Sequence, residues 1–153
     1  MSARVLVPLS EPSALPAIGH AVRIAARTGG RVTILGLEGR TLVGVVPISA
    51  PDAAIGRRRG GIREAFALAR AEARSEGCTL DLVTRAGPPT TVLIDEAWRA
   101  DADLVVMEAE PPWLPGWSRR VGVLRLNRLL PCPLTLVSVH DAPDGGSASQ
   151  LAA

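Results

Sequence analysis

The sequence lacks the features that mark secreted, membrane-spanning and nucleic-acid-binding proteins. Its two cysteines, Cys78 and Cys132, are too few for a disulfide framework, so we expect a reducing compartment and a cytoplasmic protein. No apolar run approaches the roughly 18 residues that a membrane span needs, and no signal-peptide pattern precedes the first apolar run. Lysine is absent, and the net charge is only +2, so no nucleic-acid partner is expected.

Short apolar runs alternate with amphipathic segments along the chain. Buried strands are predicted for five runs: Arg4–Leu9, Arg31–Leu37, Thr79–Thr84, Asp103–Met107 and Leu134–Val139. Helices are expected between them, because apolar residues recur there at helical spacing. This alternation predicts an α/β fold, a three-layer α/β/α sandwich around a five-stranded, mainly parallel sheet. We expect one domain over residues 1–140 and a disordered tail over residues 141–153, which are rich in glycine, serine and alanine.

Glycine and proline set the predicted boundaries of the helices. The first helix is expected to end at Gly29 and Gly30. The segment Glu38–Gly61 contains prolines, glycines and the basic run Arg57–Arg59, and it is predicted to be a loop. The second helix is therefore expected to start at Ile62, and the fourth to follow the Pro-rich loop after the fourth strand.

That Pro-rich loop, Glu108–Gly116, lies at the sheet edge where open α/β sheets bind ligands. Its composition does not suit a phosphate, because Glu108 adds a negative charge and Pro111 and Pro112 lack N–H donors. A helix N-terminus near Ser118 would offset part of the repulsion. The loop is either a degenerate site or one rebuilt for a different ligand or partner.

No set of residues predicts catalysis or a metal site. His20 is expected to be exposed on the first helix, and neither it nor His140 has neighbours in sequence that suggest a catalytic triad. Cysteine and histidine spacing matches no zinc site. Cys132 is expected to be buried and Cys78 partly exposed, and Glu96 is expected to lie on a helix surface.

Several short sequence motifs, taken together and in order, match those of a known family. They are Val5–Leu9, Ala21–Gly29, Arg85–Pro89, Ala102–Met107 and Leu130–Val137. With these motifs the chain resembles the universal stress protein family over about residues 4–139. The resemblance implies an adenine-nucleotide-hydrolase-like, Rossmann-like sandwich, a homodimer and a regulatory or stress-response role.

One branch of that family binds ATP through glycines, and this chain departs from its pattern. Glu108 stands where the first glycine after the methionine of strand four belongs, and Pro111 stands at the second. Gly122 and Val123 only loosely match the last glycine pair. If a ligand occupies the family pocket, the resemblance implies contacts from seven residues: Leu9, Ser10, Met107, Glu108, Gly116, Ser118 and Gly122.

Three functions are compatible with the sequence. The first is a non-enzymatic regulatory or stress-response module that is not a tight ATP binder and needs no cofactor. The second is a stress protein that binds ATP or AMP, with Mg²⁺, and hydrolyses it weakly or not at all. The third is a cytoplasmic regulatory domain detached from a transporter. The missing glycines favour the first.

Two surfaces are candidates for protein partners. The last strand, Leu134–Val139, is expected to have a bare edge, which invites pairing, and the family resemblance implies a homodimer there. Trp113 in the Pro-rich loop and Trp117 directly after it suggest a second contact surface, because tryptophan is enriched at interface hot spots. Local packing is the alternative for these two side chains.

Overall fold

Strands and helices alternate along the chain in the computed structural model, which describes residues 2–9, 15–38, 52–111, 113–114, 119–138 and 149–151. In chain order the elements are β1 (Arg4–Leu9), α1 (Leu15–Thr28), β2 (Arg31–Glu38), α2 (Asp52–Glu76), β3 (Thr79–Ala86), α3 (Pro89–Arg99), β4 (Leu104–Glu108), α4 (Arg119–Leu129), β5 (Leu134–Val137) and β6 (Ser149–Leu151). The five predicted strands are all present.

The sheet has the strand order β3-β2-β1-β4-β5-β6. The first five strands pair in parallel, as the alternating sequence predicted. From the central strand β1 the chain builds first toward β2 and β3, and later toward β4 and β5. The direction of building therefore reverses between β1 and β4, which places a topological switch point at their carboxyl ends.

Side chains on the two faces of the sheet form two separate cores. Val5 and Val7 of β1 pack in one cluster with residues of α1 and α2, including Ala21 and Ala69. Leu6, from the opposite face of β1, packs in the other cluster with residues of α3 and α4. This second cluster includes Leu93, Ala97, Val123 and Leu126. Burial on both faces of the central strands explains why they are continuous apolar runs rather than alternating ones, and it confirms the three-layer sandwich.

The prediction for the start of α2 was wrong. Residues 52–61, expected to be part of a loop, belong to a helix that begins at Asp52 and continues to Glu76. Three glycines in this stretch lower helix propensity by about 1 kcal/mol each, but they do not remove a hydrogen-bond donor as proline does. The stretch contains no proline, and its alanines and arginines favour a helix, so the glycines alone were a poor boundary signal.

The prediction of a bare edge at β5 was also wrong. A short strand from the predicted tail, β6, pairs antiparallel with β5, with Leu134 opposite Leu151 and Leu136 opposite Ser149. Three residues are too few to show an apolar alternation, so the sequence carried no signal for this strand. Val139, His140 and the remaining tail residues, 141–148 and 152–153, lie outside the described residues.

No described helix combines the length and the apolar character that a membrane crossing requires.

Candidate ligand site at the carboxyl end of the sheet

The switch point brings together the ends of β1 and β4. The two strands are parallel neighbours, with Leu6 opposite Val105, so Leu9 and Glu108, which close the two strands, lie at the same edge of the sheet. Leu9 and Met107 are fully buried, and Met107 belongs to the core between the sheet and α3 and α4. Of the predicted contacts, Leu9 and Met107 are therefore part of the buried core and expose no group to a ligand.

Glu108 is a polar group that the fold places at this edge. It is the last residue of β4 and lies opposite Val137 of β5, and only 5% of it is exposed. A buried carboxylate needs compensating interactions, because removing an ionised group from water carries a large free-energy penalty. Glu108 thus occupies the end of the strand where a phosphate-binding protein of this architecture would present an open backbone.

The described part of the loop after β4 uses its backbone donors internally. The amide of Ala109 donates to the carbonyl oxygen of Val137 at 2.8 Å, which extends the pairing of β4 with β5. The amide of Leu114 donates to the carbonyl oxygen of Pro111 at 3.1 Å and closes a tight turn. Pro111 is buried and has no N–H. These positions therefore offer a phosphate no free amide.

Leu114 fixes the loop against the last helix. It is only 7% exposed and belongs to the core between the sheet and α3 and α4. An ideal Cβ placed on Gly122 would stand 3.0 Å from Cδ2 of Leu114. Gly122, predicted as a ligand contact, is therefore covered by the loop. Trp113 packs against the same core and is half-buried, which favours local packing over a partner contact for this side chain.

The structure describes four of the seven predicted contacts, and these are Leu9, Met107, Glu108 and Gly122. Ser10, Gly116 and Ser118, together with Trp117, lie outside the described residues. Sequence reasoning missed Leu114, although it is the one large aliphatic residue in the loop Glu108–Gly116. A single leucine in an otherwise Pro-rich loop is a sequence signal that this side chain is buried.

A second polar site lies beneath α3. Glu96, predicted to lie on the helix surface, is only 6% exposed. Its Oε2 atom accepts a hydrogen bond from Nε of Arg85 at 3.5 Å and stands 3.9 Å from a guanidinium nitrogen of Arg99. The two arginines compensate the buried carboxylate, so this cluster joins β3 to α3. The prediction for Glu96 was wrong because position on a helix alone does not reveal a partner on a neighbouring strand.

Burial shifts the pKa of two other side chains, Cys132 and His20. Burial and the nearby Asp103 carboxylate raise the pKa of Cys132 to about 11, and Cys132 is buried as predicted. Burial, followed by Arg23 and Arg27, lowers the pKa of His20. His20 is partly buried rather than exposed. Within the described part of the chain, no cluster of three or more histidine, cysteine or acidic side chains has the geometry of a metal site.

The strand order and the switch point define a Rossmann-like α/β sandwich, a class whose ligands bind at the carboxyl edge of the sheet. A model of the Universal stress protein family matches residues 1–121, and the chain belongs to that family. This confirms the resemblance inferred from the sequence. Comparison of the sequence with curated proteins found no significant match.

Solved structures support the fold. The universal stress protein UspA from Lactobacillus plantarum is similar with a TM-score of 0.69 and 21% identity, over 88% of this chain and 96% of that one. A universal stress protein in complex with cAMP has a TM-score of 0.63 and 20% identity, over 92% and 98% of the two chains. A universal stress protein family protein from Arabidopsis thaliana with AMP bound has a TM-score of 0.62 and 12% identity, over 93% and 97%.

Proposed function

We propose that this universal stress protein is a regulatory stress-response module that acts without catalysis and does not bind ATP tightly. The observation that carries the proposal is the buried carboxyl group of Glu108 at the end of β4. It occupies the edge of the sheet to which a nucleotide would bring its phosphates. A regulatory role then depends on surfaces of the folded domain rather than on chemistry at this edge.

The magnitude of the repulsion supports this proposal. Two like charges about 4 Å apart repel by about 1 kcal/mol in water and by about 4 kcal/mol where the effective dielectric constant is near 20. A triphosphate brings several negative charges, and Glu108 is only 5% exposed, so water screens it little. Each tenfold loss of affinity corresponds to 1.4 kcal/mol. A negative charge at Glu108 therefore opposes the binding of a triphosphate at this edge.

The loop geometry adds a second obstacle that a single substitution does not remove. The amide of Ala109 is bonded to Val137, and Leu114 covers Gly122. Replacing Glu108 by glycine removes the charge and the Cβ but leaves both of these contacts in place. We therefore expect Glu108→Gly to fall short of restoring tight ATP binding.

Thermal melting with ATP and Mg²⁺ tests the proposal. A ligand that binds only the folded state at 100 times its Kd stabilises it by about 2.7 kcal/mol, which raises the melting temperature of a domain of this size by several degrees. We expect no such rise for the wild-type protein or for Glu108→Gly, with Glu110→Gln as the control for loss of a carboxylate from the same loop. A clear rise in the wild type, or release of phosphate from ATP, would refute the proposal.

A second candidate function is binding of a nucleotide with a single phosphate. Two of the similar structures were solved with cAMP or AMP bound. Such ligands bring fewer charges toward Glu108 than ATP does, so the repulsion from this carboxyl group would be smaller. The same melting experiment with AMP and cAMP separates the two candidates. A rise with AMP but none with ATP would favour the second.

We also propose that the protein is a cytoplasmic homodimer. The family resemblance and the low cysteine content support this proposal, but β6 now occupies the edge of β5 that was expected to be free. A dimer can form through the outer edge of β6, or through β5 after β6 has left it. Sedimentation equilibrium over a range of concentrations measures the association, and a monomer at every concentration would exclude it.

A further inference from the structure

The outer surface of α3 and α4 exposes an unusual share of large apolar side chains. Of the described residues, four on these two helices are large, apolar and exposed, at 63% for Trp98, 68% for Val121, 51% for Leu124 and 45% for Leu129. The two helices pack their opposite sides into the same core. They therefore lie in one layer, and no described element covers them.

The charges on α4 are of one sign. Arg120, Arg125 and Arg128 are exposed, the helix contains no acidic residue, and none of the three arginines makes an ion pair with any residue that the structure describes. Two of the acidic side chains on α3 and just after it form ion pairs with arginines outside α4. Glu96 is buried against two arginines, and Asp101 is bonded to Arg4 at 2.9 Å. Asp95 is the exception, since it is exposed on α3.

Helical geometry places the arginines and the apolar residues on the same side. Successive residues are about 100° apart around a helix, so Val121, Leu124 and Arg128 project away from the buried residue Leu126, and Arg125 projects to the side between them and the core. We call the surface formed by Val121, Leu124, Arg125 and Arg128 the α4 face, and the exposed Trp98 belongs to α3 in the same helix layer. Its guanidinium groups lie between apolar side chains rather than on a separate side of the helix.

A second copy of the chain is a poor occupant for this surface. A two-fold symmetric contact would bring the same patch of both protomers together, so Arg125 and Arg128 of one copy would face a patch that also carries only positive charge on α4. Like charges brought together at an interface are strongly unfavourable. Because the exposed charges on α4 are all positive, we expect its partner to be anionic.

We propose that the α4 face binds the surface of a bilayer that contains anionic lipid. Arginine forks bind phosphate oxygens in a bidentate manner, and clusters of basic residues on an amphipathic helix are attracted to acidic lipid headgroups. Tryptophan favours the headgroup level of a membrane, where its ring is in apolar surroundings and its N–H remains hydrated. An acidic protein would need carboxylates matched in position to each arginine, whereas a fluid lipid surface supplies phosphates wherever the arginines lie.

Vesicle co-sedimentation tests the inference with the full chain. We expect binding to vesicles of phosphatidylcholine mixed with phosphatidylserine, little binding to phosphatidylcholine alone, and weakening as salt is raised. Arg125→Gln combined with Arg128→Gln should weaken binding about 30-fold, since each arginine near an anionic surface contributes roughly fivefold. Leu124→Ala should weaken it further.

The matched control is Arg70→Gln combined with Arg74→Gln. These exposed arginines lie on α2, in the opposite helix layer, and their loss changes the net charge by the same amount. We expect this variant to bind the mixed vesicles as the wild type does. Equal weakening by both pairs, undiminished binding of the α4 variant, or no vesicle binding by the wild type would overturn the inference. Dissociation of a dimer by Leu124→Glu would also overturn it, because the α4 face would then lie between two copies.

Discussion

Leu114 lies against Gly122, so that a Cβ at position 122 would stand 3.0 Å from Cδ2 of Leu114. This contact attaches the loop after β4 to the helix α4. It also accounts for a glycine in the first half of a helix, where glycine is intrinsically unfavourable. The position that sequence comparison suggested for a ligand is thus filled by a side chain of the protein itself.

Leu114→Ala should destabilise the protein by about 2 kcal/mol, near the lower limit for a buried leucine because a loop can relax into the space left. Gly122→Ala in the wild type should be close to neutral, since the gain in helix propensity of about 1 kcal/mol is offset by displacement of Leu114. In the Leu114→Ala background the same change should stabilise by about 1 kcal/mol. Urea unfolding of the four proteins measures the coupling, and additive effects would contradict the contact.

Gly30→Ala should be far more damaging than Gly29→Ala. A Cβ at Gly30 would overlap the carbonyl oxygen of Ala3, which accepts a hydrogen bond from the amide of Arg31 at 2.9 Å and so cannot easily move. We expect a loss of about 3 kcal/mol. Gly29 has a φ of 62° with nothing within 4 Å of its ideal Cβ, so alanine there should cost about 1 kcal/mol. Urea midpoints compare the two, and equal losses would contradict the overlap.

The strands could be predicted because their signal is local. The four strands β1, β2, β4 and β5 are apolar runs that the fold largely buries, whereas β3 lies at the edge of the sheet and is only partly buried. The observed bounds of β1 match the prediction, Arg4–Leu9. The start of α2 was predicted at Ile62 instead of Asp52, because its glycines resemble a helix boundary, although the neighbouring residues favour a helix. The helix α2 packs against α1 through residues such as Ala69 and Ala73. A local sequence pattern does not reveal this contact.

The candidate site was harder to predict because it depends on contacts between distant residues. The sequence showed that Glu108 replaces a family glycine, but not that it is buried. Coverage of Gly122 by Leu114 and compensation of Glu96 by Arg85 are tertiary contacts with no fixed spacing in the sequence. The resemblance to the family therefore identified the residues that depart from its pattern, and the structure identified which side chains lie beside them.

His20 should titrate below its ordinary pKa of 6.5, because burial and the charges of Arg23 and Arg27 disfavour its protonated form. NMR titration of its ring protons measures this pKa. Arg23→Gln should raise it toward 6.5, whereas Arg74→Gln on α2, which does not contribute to the shift, should leave it unchanged. A pKa at or above 6.5 in the wild type would contradict the packing of this side chain.

The same shift makes stability depend on pH. Because the pKa is lower in the folded state, the unfolded chain binds a proton first as the pH falls below 6.5, so the free energy of unfolding decreases from there to the folded pKa and then levels off. Above pH 6.5 the contribution is fully present. His20→Gln should remove this component of the acid-side decline, which urea unfolding on both sides of pH 6.5 would detect as a smaller loss than in the wild type.

The strand β6 should compete with self-association through the edge of β5. The two strands pair over three residues, with Gln150 opposite Thr135, and the edge of β5 can pair with only one strand at a time. Gln150→Pro removes a backbone donor from β6 and should free the edge, so sedimentation equilibrium should show more dimer than in the wild type at the same concentration. Gln150→Thr keeps the donor and should match the wild type. If the proline variant forms less dimer, the dimer contains β6 itself, and if the dimer fraction does not change, this edge takes no part in assembly.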